Sequence, residues 1–183
     1  MSQDNTAKLI KQVQHIEVSI FDLITHASPN DLGQKGDGGW TALDYFKHLI
    51  LSVKSIVKAG EMSKDILIKS FGASGRASRP YETIVDIYDK RLKAGVRAED
   101  SPAQTPSTYR VPAGTRDDTV YMLKDWVDSH KRLYKVVEGL KSVDLDMIQL
   151  PHPAIGLITF REMIYFTVYH NTLHWHDIDA LVN

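Results

Sequence analysis

The chain has 183 residues, of which 43% are hydrophobic and 25% are charged, and this composition is typical of a globular, soluble protein. Its length fits a single domain spanning residues 1–183 and excludes a multi-domain assembly. Lys and Arg total 22 against 23 for Asp and Glu, so the formal net charge of −1 lacks the basic excess that binding to nucleic acid requires. We therefore expect no nucleic acid partner.

The sequence has no segment typical of secretion or membrane insertion. No apolar run approaches the roughly 18 residues that cross a bilayer, and the first residues lack the basic and apolar regions of a signal peptide. We expect a cytoplasmic protein without a membrane partner. Cysteine is absent, which excludes disulfides, thiolate metal ligands and a cysteine nucleophile. Carboxylates and the eight histidines must then supply any chemistry.

The first two predicted helices span residues 5–26 and the segment from Thr41 to about Gly60. In the first helix, apolar side chains recur at spacings of three and four: Leu9, Val13, Ile16, Ile20 and Leu23. Ser28 and a following proline end it, and a glycine-rich loop comes next. The second helix opens on a capping box formed by Thr41 and Asp44.

The middle of the chain is less regular. The sequence makes no firm prediction for residues 62–78, whereas Pro80 and a helical apolar spacing up to Gly95 predict a short helix. Residues 98–114 hold three prolines and no periodicity, which predicts a long loop. This loop is either a lid or a solvated connection between helices.

Two further long helices complete the pattern, one at residues 117–140 and one from Thr159 to the C-terminus. Inward positions of the first are Leu123, Val127, His130, Tyr134 and Val137. The second opens on a capping box formed by Thr159 and Glu162. Strand patterns are weak throughout, so we predict an all-α four-helix bundle with an extra short helix between helices two and three. Bundles of this kind commonly hold metal or ligand sites in their cores.

A histidine pair on the last helix is the strongest functional signal. His170 and His174 lie about 40° apart around the helix axis, and their face is apolar. Imidazoles four residues apart can share one metal ion. His176 projects from another face and is excluded as a ligand. Asp177 lies near the pair, where its carboxylate either hydrogen-bonds a ligand imidazole or is an ordinary surface charge.

Two imidazoles leave a divalent ion without enough ligands, so a third donor must come from another helix. The spacing of lysines on the second helix places His48 on a flank of that helix, between core and solvent, and His48 is the best candidate. His130 competes for this role because it points inward from the third long helix. His15, His26 and His152 have no partner at ligand spacing and are interpreted as structural.

Three segments resemble the DinB/YfiT-like superfamily. Residues 39–49, GWTALDYFKHL, are similar to the Trp-Ser/Thr start of that family's second helix, which ends in a His-Leu pair. Residues 150–159, LPHPAIGLIT, resemble its His-Pro-x-x-Gly-x-x-Thr approach to the last helix. The pair His170 and His174 is similar to the family's closing histidines. These segments follow the family's order and spacing over most of the chain.

The resemblance implies an up-down-down-up four-helix bundle, often a homodimer, with a divalent metal held by His48, His170 and His174. Members of known activity are metal-dependent thiol S-transferases or isomerases that use low-molecular-weight thiols. The expected partners are therefore a small-molecule substrate and such a thiol. Zinc and nickel both suit imidazole ligands, and the sequence does not choose between them.

Three imidazoles leave a coordination position open, which is typical of a catalytic site. Such an ion either binds a thiol as thiolate or activates water, and the resemblance favours the thiolate route with hydrolysis as the alternative. Tyr45 and Asp177 are the candidates for a general base. A non-catalytic helical binding module is the alternative outside the enzymes.

Overall fold

The structure is a computed structural model. It describes residues 2–36, 38–96, 101 and 104–183, with side chains from residue 6 onward. In chain order the described elements are α1 (Ser2–His26), α2 (Pro29–Gly33), α3 (Ala42–Gly60), α4 (Lys64–Phe71), α5 (Tyr81–Lys93), a 3-10 turn (Pro106–Thr108), α6 (Asp118–Gly139), α7 (Ser142–Met147), β1 (Gln149–His152), β2 (Gly156–Thr159) and α8 (Phe160–Val182).

The four long helices α1, α3, α6 and α8 form the predicted bundle. Both α1 and α3 pack against α6 and α8, so the four helices enclose one apolar core. Phe46 of α3 and Trp126 of α6 meet there with ring centroids 5.6 Å apart. Gly60 permits a close approach at the end of α3, since a Cβ on it would lie 2.4 Å from Cγ1 of Val136. No helix in the described part of the chain is both long and apolar enough to cross a bilayer.

Both predicted capping boxes are confirmed, and they determine where α3 and α8 begin. Thr41 Oγ1 accepts from the Asp44 main-chain N–H at 3.1 Å, and an Asp44 carboxylate oxygen accepts from the Thr41 N–H at 3.2 Å. The same reciprocal bonds join Thr159 and Glu162, at 3.2 and 3.0 Å. Because these bonds satisfy orphan donors of the first turn, they set the register of every later residue on each helix.

Several elements differ from the sequence prediction. The segment without a firm prediction contains α4, and the loop after α1 contains the short helix α2. A β-hairpin, β1–β2, lies where no strand was predicted, with Gln149 opposite Thr159 and His152 opposite Gly156. Its strands have only four residues each and one contains Pro151, which removes a main-chain donor and obscures the alternating pattern.

The inward face of α6 is rotated relative to the prediction. Leu123 and Val127 are only partly buried, while Met122, Trp126 and Leu133 are at most 1% exposed. Because α6 packs against both α1 and α3, its contacts with these two helices decide which of its residues face the core.

The predicted short helix between the second and third long helices is confirmed as α5, which packs against α8. Of the predicted loop at residues 98–114, positions 98–100 and 102–103 lie outside the described residues. The described remainder includes the 3-10 turn, which packs against α3. This contact places the loop against the helix that carries His48.

Candidate metal centre

Three histidines from two helices meet inside the bundle: His48 of α3, and His170 and His174 of α8. One nitrogen of each ring lies within 4.8 Å of the chosen nitrogens of the other two. Their ring centroids are separated by 4.6 to 5.1 Å, and the side chains are 0%, 2% and 7% exposed. The described residues therefore contain a group that could hold a metal ion.

His48 lies deeper than the sequence predicted. The helical pattern predicts a position on a flank between core and solvent, but His48 is fully buried. The main-chain carbonyl of Gln104, in the loop before α6, accepts a hydrogen bond from His48 Nδ1 at 2.8 Å. The indole of Trp40 lies 5.3 Å from the His48 ring on another side. The apolar pattern of α3 could not predict that His48 is buried by these two neighbours, because neither Trp40 nor Gln104 belongs to α3.

Hydrogen bonds determine which nitrogen of each ring can bind a metal. A carbonyl oxygen only accepts, so the proton of neutral His48 is on Nδ1 and its Nε2 carries the lone pair. Nδ1 of His174 lies 2.8 Å from a carboxylate oxygen of Asp177, which likewise places its proton on Nδ1. Nε2 of His48 therefore accepts a hydrogen bond from Nε2 of His170 at 3.0 Å in the metal-free protein. Two imidazole nitrogens bound to one tetrahedral zinc are about 3.3 Å apart, so the ring positions fit a shared ion.

Burial keeps the rings of His48 and His170 neutral. It lowers the pKa of His48 to about 4, with a further contribution from nearby His174. Burial also lowers the pKa of His170 well below its usual value, and the neighbouring histidines act in the same direction. Neutral imidazole is the form that binds a metal ion, so near neutral pH both rings are ready to act as ligands.

The two candidate general bases both lie beside His174. The ring of Tyr45 has its centroid 5.3 Å from that of His174, and Asp177 makes the bond to His174 Nδ1 described above. Together they line a cavity of about 460 Å³ at the edge of the histidine group. Its other lining residues are His174 itself, Tyr88, Leu92, Lys93 and Leu173. The cavity gives a small molecule access to one side of the site.

His130 lies outside the group. It points into the core as predicted, but its Nδ1 donates to the Trp126 carbonyl at 3.0 Å and its ring packs on the Trp126 indole. Its Nε2 is buried without a hydrogen-bond partner among the described residues, and burial lowers its pKa to about 4. His130 is therefore a core residue held by its own helix. His176 is exposed and also outside the group, in agreement with its exclusion.

The sequence analysis did not place two further groups beside the site, the ring of His152 and the main-chain carbonyl of Gln104. His152 was interpreted as structural, and its Nδ1 does accept the main-chain N–H groups of Ala154 and Ile155 in the hairpin turn, at 3.1 and 3.2 Å. Its ring also packs on Phe166, which stacks on His170. The His-Pro motif was a usable signal for His152. The Gln104 carbonyl belongs to the main chain, so no side-chain pattern could indicate it.

Comparisons with known proteins agree with this architecture. The sequence profile described as the DinB superfamily matches residues 19–178. YfiT from Bacillus subtilis, described as a probable metal-dependent hydrolase with an unusual four-helix bundle topology, has a similar structure with a TM-score of 0.54. It is 18% identical, and the match covers 99% of this chain and 87% of that chain. The likeness confirms the predicted bundle topology. No curated protein matches the sequence.

Proposed function

The chain belongs to the DinB superfamily, and from its buried histidines we propose that it is a metal-dependent hydrolase in which His48, His170 and His174 bind one divalent ion. The observation that carries the proposal is that one nitrogen from each of these three buried imidazoles lies within 4.8 Å of the others. Three imidazoles suit zinc or nickel. The description of YfiT as a probable metal-dependent hydrolase supports the same reaction class.

A divalent ion with three imidazole ligands keeps a coordination position open and lowers the pKa of water toward neutrality. The residues of the chain prepare the site for this chemistry. The carboxylate of Asp177 orients His174 and increases the basicity of its ring. We assign Asp177 this orienting role, and Tyr45 stays the candidate for contact with the substrate because it lines the same cavity.

The proposed substrate is a small molecule that reaches the site through the cavity beside His174. This cavity, of about 460 Å³, is lined by both polar and apolar side chains. Lys93 is the cationic residue in the lining, and it suits a substrate that carries a negative charge away from the reacting bond. The carboxylate of Asp177 also lines this cavity, beside His174. A cationic group of a substrate could pair with it there.

Thiol transfer is the reaction that the sequence resemblance favoured. No described contact around the histidines is specific for a thiol, and the chain itself has no cysteine. Water as nucleophile needs no further cosubstrate, so hydrolysis takes precedence in our proposal. Both reactions need the same metal ligands, and they are distinguished by whether turnover requires an added thiol.

The first experiment measures bound metal by mass spectrometry after the metal-free protein is loaded with zinc or nickel. The variants are His174→Ala and His176→Ala, a matched control because His176 is exposed on another face of the same helix. We expect one ion per chain in the wild type and in His176→Ala. In His174→Ala we expect a loss of at least about 100-fold in affinity, since losing even a residue that supports a ligand costs about 10- to 100-fold. A wild-type protein that binds no metal would overturn the proposal.

The second experiment follows the loaded protein with a panel of small esters and amides, with and without an added low-molecular-weight thiol. Metal-dependent turnover without thiol supports hydrolysis. Turnover of a chloro-aromatic acceptor that strictly requires the thiol would replace hydrolysis by thiol transfer. Stoichiometric metal without turnover in either assay contradicts the enzymatic proposal and favours a binding module.

A further inference from the structure

Residues 104–109, which we call the 104–109 segment, lie across α3 next to the histidine centre. The segment is a compact turn, because Tyr109 N–H donates to the Pro106 carbonyl at 3.1 Å and Thr108 N–H donates to the Thr105 carbonyl at 2.9 Å. Pro106 and Tyr109 are both buried. This part of the loop therefore has a defined shape that depends on contacts with the helices below it.

One end of the 104–109 segment contacts His48. The carbonyl of Gln104 accepts the Nδ1 proton of His48 at 2.8 Å. This bond selects the tautomer of His48 whose Nε2 lone pair faces His170. A main-chain carbonyl can do this only if the loop that carries it is held in place.

The other end is held by a partly buried polar contact. The Tyr109 hydroxyl donates to a carboxylate oxygen of Asp125 on α6 at 2.7 Å, and Lys54 Nζ of α3 lies 2.6 Å from the same oxygen. The Lys54 ammonium also lies 5.6 Å from the centre of the Tyr109 ring. The side chains of Tyr109 and Asp125 are only 8% and 13% exposed. Low exposure makes such a charge-assisted bond stronger than one at the surface.

We propose that Tyr109 and Asp125 are positioning residues for the metal centre, which they serve by anchoring the 104–109 segment so that the Gln104 carbonyl holds His48 in its metal-binding tautomer and orientation. The helix α3 carries both His48 and Lys54, so one end of the segment bonds to α3 directly and the other end is linked to it through Asp125 of α6, which Lys54 also contacts. The inference rests on the metal site proposed above. It adds Tyr109 and Asp125, which do not bind the ion and act on His48 through the Gln104 carbonyl.

The chain offers a matched control for loss of the Tyr109 hydroxyl. Tyr134, also on α6, donates its hydroxyl to a carboxylate oxygen of Glu17 on α1. Glu17 is 9% exposed, so this bond joins a tyrosine to a largely buried carboxylate, as the Tyr109 bond does. Neither Tyr134 nor Glu17 contacts the 104–109 segment through a described hydrogen bond. Tyr134→Phe therefore measures how much stability is lost when a tyrosine hydroxyl bonded to a largely buried carboxylate is removed.

The experiment compares Tyr109→Phe, Tyr134→Phe and the wild type by cobalt titration, by the visible d–d absorption of the cobalt protein and by thermal unfolding of the metal-free protein. We expect Tyr109→Phe to weaken cobalt binding about tenfold and to change the d–d bands. Tyr134→Phe lowers the melting temperature but leaves cobalt affinity and spectrum unchanged. Asp125→Asn keeps an oxygen acceptor for Tyr109, and we expect it to retain more affinity than Asp125→Ala.

Nitrogen-15 NMR of the histidine rings gives a readout that needs no metal. We expect His48 in the metal-free wild type to carry its proton on Nδ1, and Tyr109→Phe to shift the ring toward a mixture of tautomers. Equal effects of Tyr109→Phe and Tyr134→Phe on cobalt binding, or an unchanged His48 tautomer, would overturn the anchoring proposal alone. A wild type that binds no cobalt contradicts the metal site itself, while the NMR result still decides whether the segment orients His48.

Discussion

Two buried polar clusters lie on the same helix, α8, and they are built in opposite ways. At its start, the fully buried carboxylate of Glu162 accepts bonds from the side chains of Arg76 and Arg79, at 2.8 and 3.0 Å, and from two main-chain N–H groups. About two to three turns further on, His170 and His174 meet His48 with nitrogens that face one another. In the first cluster the carboxylate has cationic partners within the protein. In the second cluster three imidazole nitrogens lie close enough together to bind a cation.

The pKa values express the same difference. Burial alone would raise the pKa of Glu162, yet the bonds from Arg76, Arg79 and the main chain lower it to about 2. The lowered pKa means that the folded protein stabilises the negative charge of Glu162. The pKa of His48 is lowered to about 4 because burial and a neighbouring imidazole disfavour its charged form. A buried polar cluster whose charge is matched by its partners contributes to stability, and a cluster of neutral imidazoles with their Nε2 atoms close together is better explained by a ligand.

Loss of the Glu162 charge is expected to have the largest effect. Breaking a buried ion pair typically costs about 3–5 kcal/mol, and we expect Glu162→Gln to fall near the lower end, about 3 kcal/mol, because the side chains of Arg76 and Arg79 are 41% and 27% exposed and stay solvated. We expect urea unfolding to show this decrease in the free energy of unfolding. The folded variant should still bind metal, because Glu162 lies outside the histidine group.

His170→Leu is the matched replacement in the other cluster. In the metal-free protein we expect its free energy of unfolding to fall by only about 1 kcal/mol, because the change leaves the Nε2 of His48 without its hydrogen-bond partner but leaves no charge unpaired. The variant should lose metal binding. If it is as destabilised as Glu162→Gln, the two clusters do not differ as we describe.

His130 provides a pH test with a core histidine outside both clusters. Its pKa is lowered to about 4 by burial, whereas an unfolded histidine titrates near 6.5. Between these values the unfolded chain binds a proton that the folded protein excludes, so stability is present above about pH 6.5 and falls by about 3 kcal/mol as the pH approaches 4. In His130→Phe the urea-unfolding free energy should depend less on pH by this amount. Equal pH profiles would show that His130 is accessible to protons.

The smallest expected effect concerns the carboxylate beside the site. Asp177→Ala removes the acceptor for His174 Nδ1, and loss of such a partner typically weakens metal binding about 10- to 100-fold. Asp179→Ala, two residues further along α8, is the control because Asp179 bonds to the C-terminal Asn183. Competition with a chromophoric chelator measures both affinities. Equal affinities for the two variants would contradict the orienting role of Asp177.

The sequence alone determined the parts of the fold that depend on near neighbours along the chain. The capping boxes at Thr41 and Thr159 set the starts of α3 and α8, and the four-residue spacing of His170 and His174 placed both rings on one face. These features follow from helical geometry, in which residues three and four apart always meet. The homodimer, the thiol and the cytoplasmic location stay predictions.

The tertiary structure decided what depends on groups far apart in the chain. Gln104 hydrogen-bonds to His48 from a loop 56 residues away in the chain. Arg76 pairs with the carboxylate of Glu162 from 86 residues away. Packing between helices also buried His48 fully and turned the inward face of α6 toward Trp126. A helical pattern contains no information on these partners, because they are set by how separate elements pack and by main-chain atoms that every residue shares.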